Sequence, residues 1–303
     1  SPPTSNLEDL SLEDLLNVEI SVASNVISDK DKQPVSVTTI TRRQLELCGA
    51  RTLADALMFF VPGFFVTEDQ DDVIMAFRGL APDNNSKVML LLNGQNMNTE
   101  FFWGPPYALL TASNYTFIER VEVIRGPGSV TLGQGALLGV INIVTAKGAE
   151  LKGDTAIGLD AAVSAGADNL LLGQVMGRAK IGDAKAAFTI SRGAYGGQQY
   201  RNEGNARREN QGFAGGTAFD MGHRLKRNDN LFVQGNIEYK GLEINALYAD
   251  NQQDLYNFYR DREVFGQSLA ALNVAYKFQF SKDIHLKTSA SFIQDDIRLS
   301  SLT

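Results

Sequence analysis

From about residue 154 to the end, hydrophobic and polar side chains alternate with a period of two. Leu231, Val233, Gly235, Ile237 and Tyr239 make one apolar series, interleaved with Phe232, Gln234, Asn236 and Glu238. Ile284, Leu286, Thr288, Ala290 and Phe292 alternate in the same way with His285, Lys287, Ser289 and Ser291. Because successive side chains of a strand point to opposite faces, this rhythm predicts strands. Seven are expected, near 154–166, 170–181, 184–195, 230–240, 242–252, 267–280 and 284–297. No proline falls within them, as uninterrupted ladders require. The connections are Asp168-Asn169, Gly182-Asp183, a long polar stretch 196–229, Lys240-Gly241, 253–266, and Ser281 to Asp283. After the first hairpin, those on one side are short and those on the other long, the asymmetry of an outer-membrane barrel. Tyr239, Phe278 and Phe280 precede short turns, where an interfacial aromatic girdle would lie. A soluble β-sandwich with long loops is the alternative; strands of this length favour the barrel.

The first half has a different pattern. Residues 6–16 read as a short acidic amphipathic helix, and Val18 to Ser24 as a brief extended segment. A polar turn leads to the strand PVSVTTI. Thr41 and Gln44 have capping-box spacing, and Gly49 stands where a helix would end. Thr52 can cap a second helix, with Asp55 in its first turn, and Pro62 stops it. Short apolar strands follow at Val73–Phe77, Lys87–Leu92, Arg120–Ile124 and Val140–Val144. An aromatic loop, Asn96 to Tyr115, interrupts them. The sum is a compact α+β domain ahead of a β-rich one.

Composition sharpens this division. All 8 prolines lie at or before Pro127, whereas 23 of the 28 glycines follow residue 120. Residues 1–150 carry 10 basic and 18 acidic side chains, residues 151–303 carry 18 and 17, and the net charge is −7. That balance argues against a partner bound by neutralising nucleic-acid phosphates. A single cysteine, Cys48, excludes a disulfide framework and reads as a packed small hydrophobe. No stretch approaches the roughly 20 apolar residues of a spanning helix. The start at Ser1-Pro2-Pro3, without a signal-like segment, suggests a mature or trimmed product.

Candidate chemistry is sparse. The glycine-rich run IRGPGSVTLGQGALLG lacks the lysine of a phosphate loop and the spacing of a dinucleotide fold. Glu68, Asp69, Asp71 and Asp72 lack the glycine and terminal glutamate of a calcium loop and read as a solvated turn. His223 and His285 have no ligand partner at metal spacing, and no nucleophile–base pair stands out. Neither an enzyme nor a resident metal or cofactor is expected.

Three blocks, in order, resemble the plug domain of TonB-dependent outer-membrane receptors. They are PVSVTTITRRQLELCGARTLADALMFFVPGF, IMAFRGLAPDNNSKVMLLLNGQNMN and IERVEVIRGPGSVTLGQGALLGVINIVT. Asn93-Gly94 stands where the family usually has Asp-Gly, and Leu132-Gly133 where it has Tyr-Gly. The fold implied is an α+β plug domain followed by antiparallel transmembrane β-barrel strands, about seven of a 22-stranded barrel. Residues 1–27 would be an N-terminal segment, 28–150 the plug, and 151–303 an incomplete barrel. The rest of the barrel would come from a second chain or a missing part of the same protein.

The resemblance also implies a function: active import of a chelated nutrient, above all a ferric siderophore, across the outer membrane of a Gram-negative bacterium. Outer-membrane lipid would surround the barrel, and a TonB-type energy coupler would pull on a TonB box at Glu19, Ile20, Ser21, Val22 and Ala23. An ordinary first plug strand is the other reading of that segment. By motif match, Arg78 and Arg125 would lock the plug to barrel glutamates. Outward plug residues Asp83, Asn84, Asn85, Phe101, Phe102, Trp103 and Tyr107 would meet the small-molecule ligand, or some of the rings would pack on the barrel wall. Arg201, Arg207, Arg208, Arg224, Lys226 and Arg227 give the 196–229 stretch a basic excess over its 4 acids, which suits an anionic chelate. The absence of histidine from the plug weighs against heme. A non-transporting plugged barrel, used in surface sensing or assembly, is the competing function.

Overall fold

The computed structural model describes residues 36–69, 72–82, 86–99, 104–111, 115, 117–126, 135–148, 151, 155–199, 224–225, 228–255, 263–281 and 284–301. The helix expected at 6–16 and the strand expected at Val18 to Ser24 lie outside these residues.

The N-terminal unit contains β1 (Ser36–Thr41), α1 (Arg42–Leu47), α2 (Leu53–Phe60), β2 (Phe64–Asp69), β3 (Asp72–Phe77), β4 (Val88–Leu92), β5 (Gln95–Asn96), α3 (Tyr107–Leu110), β6 (Ile118–Arg125) and β7 (Gly139–Thr145). Both expected helix starts are built as capping boxes. The Thr41 hydroxyl accepts from the Gln44 amide while the Gln44 side chain accepts from the Thr41 amide, and Thr52 and Asp55 repeat the arrangement. Five strands form one sheet in the order β1-β6-β7-β4-β5, parallel only between β4 and β7. Strands β2 and β3 make a separate hairpin. The helices cover one face, burying Leu45, Leu53, Ala56 and Leu57 against Ile40, Val121, Val123, Ile141 and Ile143.

Three elements of this unit escaped the sequence pattern, one of them α3, which lies inside the stretch expected to be an aromatic loop. The FFVTED segment shows no clean alternation, yet it pairs with β3 throughout. The β4–β5 hairpin is set by Asn93 and Gly94, both at positive φ (50° and 83°), the mirror-image turn that Asn-Gly favours.

The C-terminal half is one seven-stranded antiparallel wall: β8 (Thr155–Gly166), β9 (Leu170–Ile181), β10 (Ala184–Tyr195), β13 (Asn228–Tyr239), β14 (Leu242–Leu255), β15 (Glu263–Gln279) and β16 (His285–Ser301). A two-residue ladder, β11 (Gln198–Gln199) with β12 (Arg224–Leu225), sits within the long connection from β10 to β13. Strands β14, β15 and β16 run three or four residues further toward the long connections than the pattern predicts. There the outward positions become Asp250, Gln252, Ser268 and Arg298, so apolar alternation fades while backbone pairing continues.

The two faces of the wall have opposite chemistry. Outward, Ile157, Leu159, Val163, Phe188, Ile190, Ile237, Tyr248, Leu272 and Phe292 are all exposed. Inward, Thr189, Ser191, Gln234, Asn236 and Asn251 are buried. A sheet with apolar residues outside and polar residues inside matches a lipid-facing barrel wall rather than a soluble sandwich. Tyr239, Tyr276, Phe278 and Phe280 are exposed at the short-turn end, where the aromatic girdle was expected. Among the described residues no helix is long and apolar enough to cross a membrane.

The chain passes between the two units through Ala146, Lys147 and Gly148. A Cβ at Gly148 would overlap the backbone O and N of Ala186 and lie 2.7 Å from the Ala179 carbonyl. Gly148→Ala is therefore expected to unseat this connection, raising protease cleavage of the N-terminal unit and costing at least about 1 kcal/mol. Gly173→Ala, at an open position on β9, should leave both unchanged.

Candidate functional site

The N-terminal unit rests on the inner face of β13, β14 and β15, and the contact begins as a shared core. The Phe117 and Phe232 rings stack at 3.7 Å between centroids, and both are buried. Tyr107 packs on Phe265 at 4.8 Å. Leu247, Ala249, Leu269 and Ala271 of the wall belong to the same apolar cluster as Leu57, Leu109 and Leu110. Truncating a buried phenylalanine typically costs about 3–5 kcal/mol, so this seat is a substantial constraint.

Polar groups fix the register of the seat. Helix α3 has no side-chain cap of its own; instead its Ala108 amide donates to Gln267 Oε1 of β15 at 3.0 Å. The Thr111 hydroxyl donates to Gln253 Oε1 at 2.5 Å, and Asn228 Nδ2 donates to the Thr111 carbonyl at 3.3 Å. These contacts lie toward the long connections. At the short-turn end, Asn93 Nδ2 donates to Thr145 Oγ1 (3.0 Å) and Asn245 Oδ1 (3.4 Å), and Gln234 Nε2 also reaches Thr145 Oγ1. Lys147 Nζ is bracketed by Glu238 (2.7 Å) and Glu243 (2.9 Å), on either side of the Lys240-Gly241 turn. Burial alone would lower the Lys147 pKa, but the two carboxylates outweigh it and hold the ammonium above the usual lysine value.

A pair of arginines stands apart from this seat. The Pro62-Gly63 turn gathers them: the Arg78 amide donates to the Gly63 carbonyl at 2.7 Å, and Arg125 Nη1 donates to the Pro62 carbonyl at 2.7 Å. Arg78 has φ 52° and is exposed, whereas Arg125 is buried. Burial and the neighbouring Arg78 charge both lower the Arg125 pKa. Arg125 Nη2 is held by the hydroxyls of Ser36 and Thr38, while its Nε is buried without a hydrogen-bond partner.

Residues 29–140 match the sequence profile of the TonB-dependent Receptor Plug Domain. Over that stretch the chain carries a plug domain of the TonB-dependent receptor kind. An iron-regulated outer membrane virulence protein of Vibrio cholerae is 34% identical over 126 residues, covering 38% of this chain and 18% of that protein. The vitamin B12 transporter BtuB of Vibrio vulnificus is 30% identical over 132 residues, covering 40% of this chain and 20% of BtuB. Among solved structures, the siderophore receptor PiuA from Acinetobacter baumannii superposes with a TM-score of 0.62 at 17% identity, over 90% of this chain and 38% of that one. The chain thus spans well under half the length of the relatives it matches. It is an outer-membrane protein.

In these terms the N-terminal unit is the plug, and the seven strands are barrel wall. Among the predicted ligand residues, Tyr107 lies inside the plug–wall seat at 1% exposure, where its hydroxyl accepts from the Val73 amide at 2.7 Å. It serves packing there and presents no face outward. Asp83, Asn84, Asn85, Phe101, Phe102 and Trp103 lie outside the described residues, as do Glu19, Ile20, Ser21, Val22 and Ala23. The base of the aromatic loop is described: the Thr99 amide donates to the Gly104 carbonyl at 2.9 Å, three residues before α3. Cys48 is partly buried, with its thiol directed at the Leu45 carbonyl. Among the described residues no three potential metal ligands converge. The Lys147 bracket was not anticipated; a lone lysine after Val-Thr-Ala carries no signal until Glu238 and Glu243 are brought to it.

Because the Lys147 pKa is raised, its contribution to docking is complete below the ordinary lysine value of 10.5 and is lost as pH rises through the higher folded value. Plug docking, read by protease resistance, is expected to be flat from neutral pH to about 10.5 and to weaken above it. Lys147→Met should remove that alkaline step and cost about 2 kcal/mol at neutral pH.

Proposed function

We propose that the chain is the plug and first wall strands of an active transporter that imports a chelated nutrient, a ferric siderophore, across the outer membrane. The observation that carries this reading is a plug docked on the polar inner face of a wall whose outer face is apolar. Such a plug closes the path through the barrel, so passage requires it to rearrange, and a TonB-type coupler acting on Glu19 to Ala23 supplies the work. Residues 1–27 then form the coupling segment, 28–150 the plug and 151–303 the first part of the barrel, which further strands complete.

The cargo is received at the end with the long connections. The base of the aromatic loop and α3 stand at that end, which favours Phe101, Phe102 and Trp103, with Asp83, Asn84 and Asn85, as the receiving surface. Aromatic faces suit a flat conjugated chelator. The paired cations Arg78 and Arg125 find no carboxylate among the described residues, which favours their role as a lock awaiting barrel glutamates. The named iron-related relatives support a ferric chelate as cargo, and BtuB marks how far ligands diverge within the family.

Deleting Glu19 to Ala23 from the full-length receptor tests the transporter reading against a sensing or assembly role. Uptake of radiolabelled ferric siderophore by iron-starved cells should fall to background while binding at the cell surface persists. Unchanged uptake after the deletion would contradict the coupler mechanism.

A further inference from the structure

We propose that Ser36 and Thr38 are positioning residues for Arg125, forming a clasp that opens before any other part of the plug when tension arrives from the N-terminal side. The inference rests on the coupler reading above, because that reading supplies the tension.

Among the described residues β1 is an edge strand, paired only with β6. Ser36, its first residue, is the register partner of Arg125. Residues two apart on a strand share a face, so Ser36, Thr38 and Ile40 form one row. Ile40 anchors the inner end of that row in the core beside Val121 and Val123. At the outer end the row carries two hydroxyls instead of apolar side chains, and both meet one nitrogen: Arg125 Nη2 donates to Ser36 Oγ at 2.7 Å and to Thr38 Oγ1 at 3.0 Å. The guanidinium is thus shared between the strand that is pulled and the Pro62 carbonyl, which is not on that strand.

The arrangement links two events. Tension transmitted along the chain reaches Ser36 before any other described residue, and peeling β1 from that end removes two of the three oxygen atoms that hold Arg125. What remains, among the described residues, is a cation whose Nε already lacks a partner, retained by the Pro62 carbonyl. A desolvated charge in that state is costly, so the side chain moves toward water and leaves the Pro62-Gly63 turn. Loss of β1 and release of Arg125 are one step rather than two.

Native-state hydrogen exchange on the full-length receptor in lipid nanodiscs tests the clasp without cargo or coupler. In the Ser36→Ala/Thr38→Val variant, the amides of residues 36–41 should exchange about tenfold faster, as loss of hydrogen bonds to a charged donor implies. Amides of β13 and β14 should be unaffected. The Ser36→Thr/Thr38→Ser variant, which keeps both hydroxyls, should exchange as the parent does. In an Arg125→Ala background the Ser36→Ala/Thr38→Val pair should add less than twofold. Unchanged exchange in the double variant, or the same acceleration with Arg125 absent, would overturn the clasp. Uptake that survives loss of Glu19 to Ala23 would instead overturn the coupler reading and leave the exchange result standing.

Discussion

A strand that crosses a bilayer must have its backbone groups paired within the sheet, because hydrocarbon offers them no partner. Strands β8 to β16 meet this with ladders of 12 to 17 residues in the seven-stranded wall, uninterrupted by proline. Once the ladder is fixed, period-two geometry sends every other side chain outward. The outward series is apolar and closes with aromatics at the short-turn end. The inward series is free to be polar, and the plug is built to meet it.

The plug–wall contact combines terms of different kind. Stacked Phe117 and Phe232 bind without strict direction, whereas Gln267 capping α3 and Asn93 bridging to Asn245 fix register. The Lys147 bracket and the close fit of Gly148 hold the point where the chain leaves the plug for the wall. Most of these contacts come from residues 93–148. The earlier plug segment adds Arg42 on the Met176 sulfur (3.6 Å), Arg51 over the Tyr195 ring (4.8 Å), and Val66 and Val73 packed beside Phe265 and Ile297.

Much of this is written in local sequence. Alternation located all seven wall strands because one face had to be apolar, and Thr41/Gln44 and Thr52/Asp55 announced their helices through side chains that satisfy their own termini. What stayed hidden depends on partners distant in sequence. Tyr107 reads as an exposed aromatic in a loop, but Phe265 covers it from 158 positions away. Arg125 reads as one half of a family motif, while its hold on Ser36 and Thr38 follows only from the β1–β6 register. The outer ends of β14 to β16 carry no apolar alternation, because pairing there outlasts the apolar band.

The alternation of the wall is the claim on which the rest stands, and spin labels placed singly at positions 231 to 238 of the reconstituted receptor test it directly. Collision with oxygen, which concentrates in lipid, should be high at 231, 233 and 237 and low at 232, 234, 236 and 238, where the plug covers the wall. Equal accessibility of both series to a water-soluble relaxant would contradict it, since that is the behaviour of a soluble sheet.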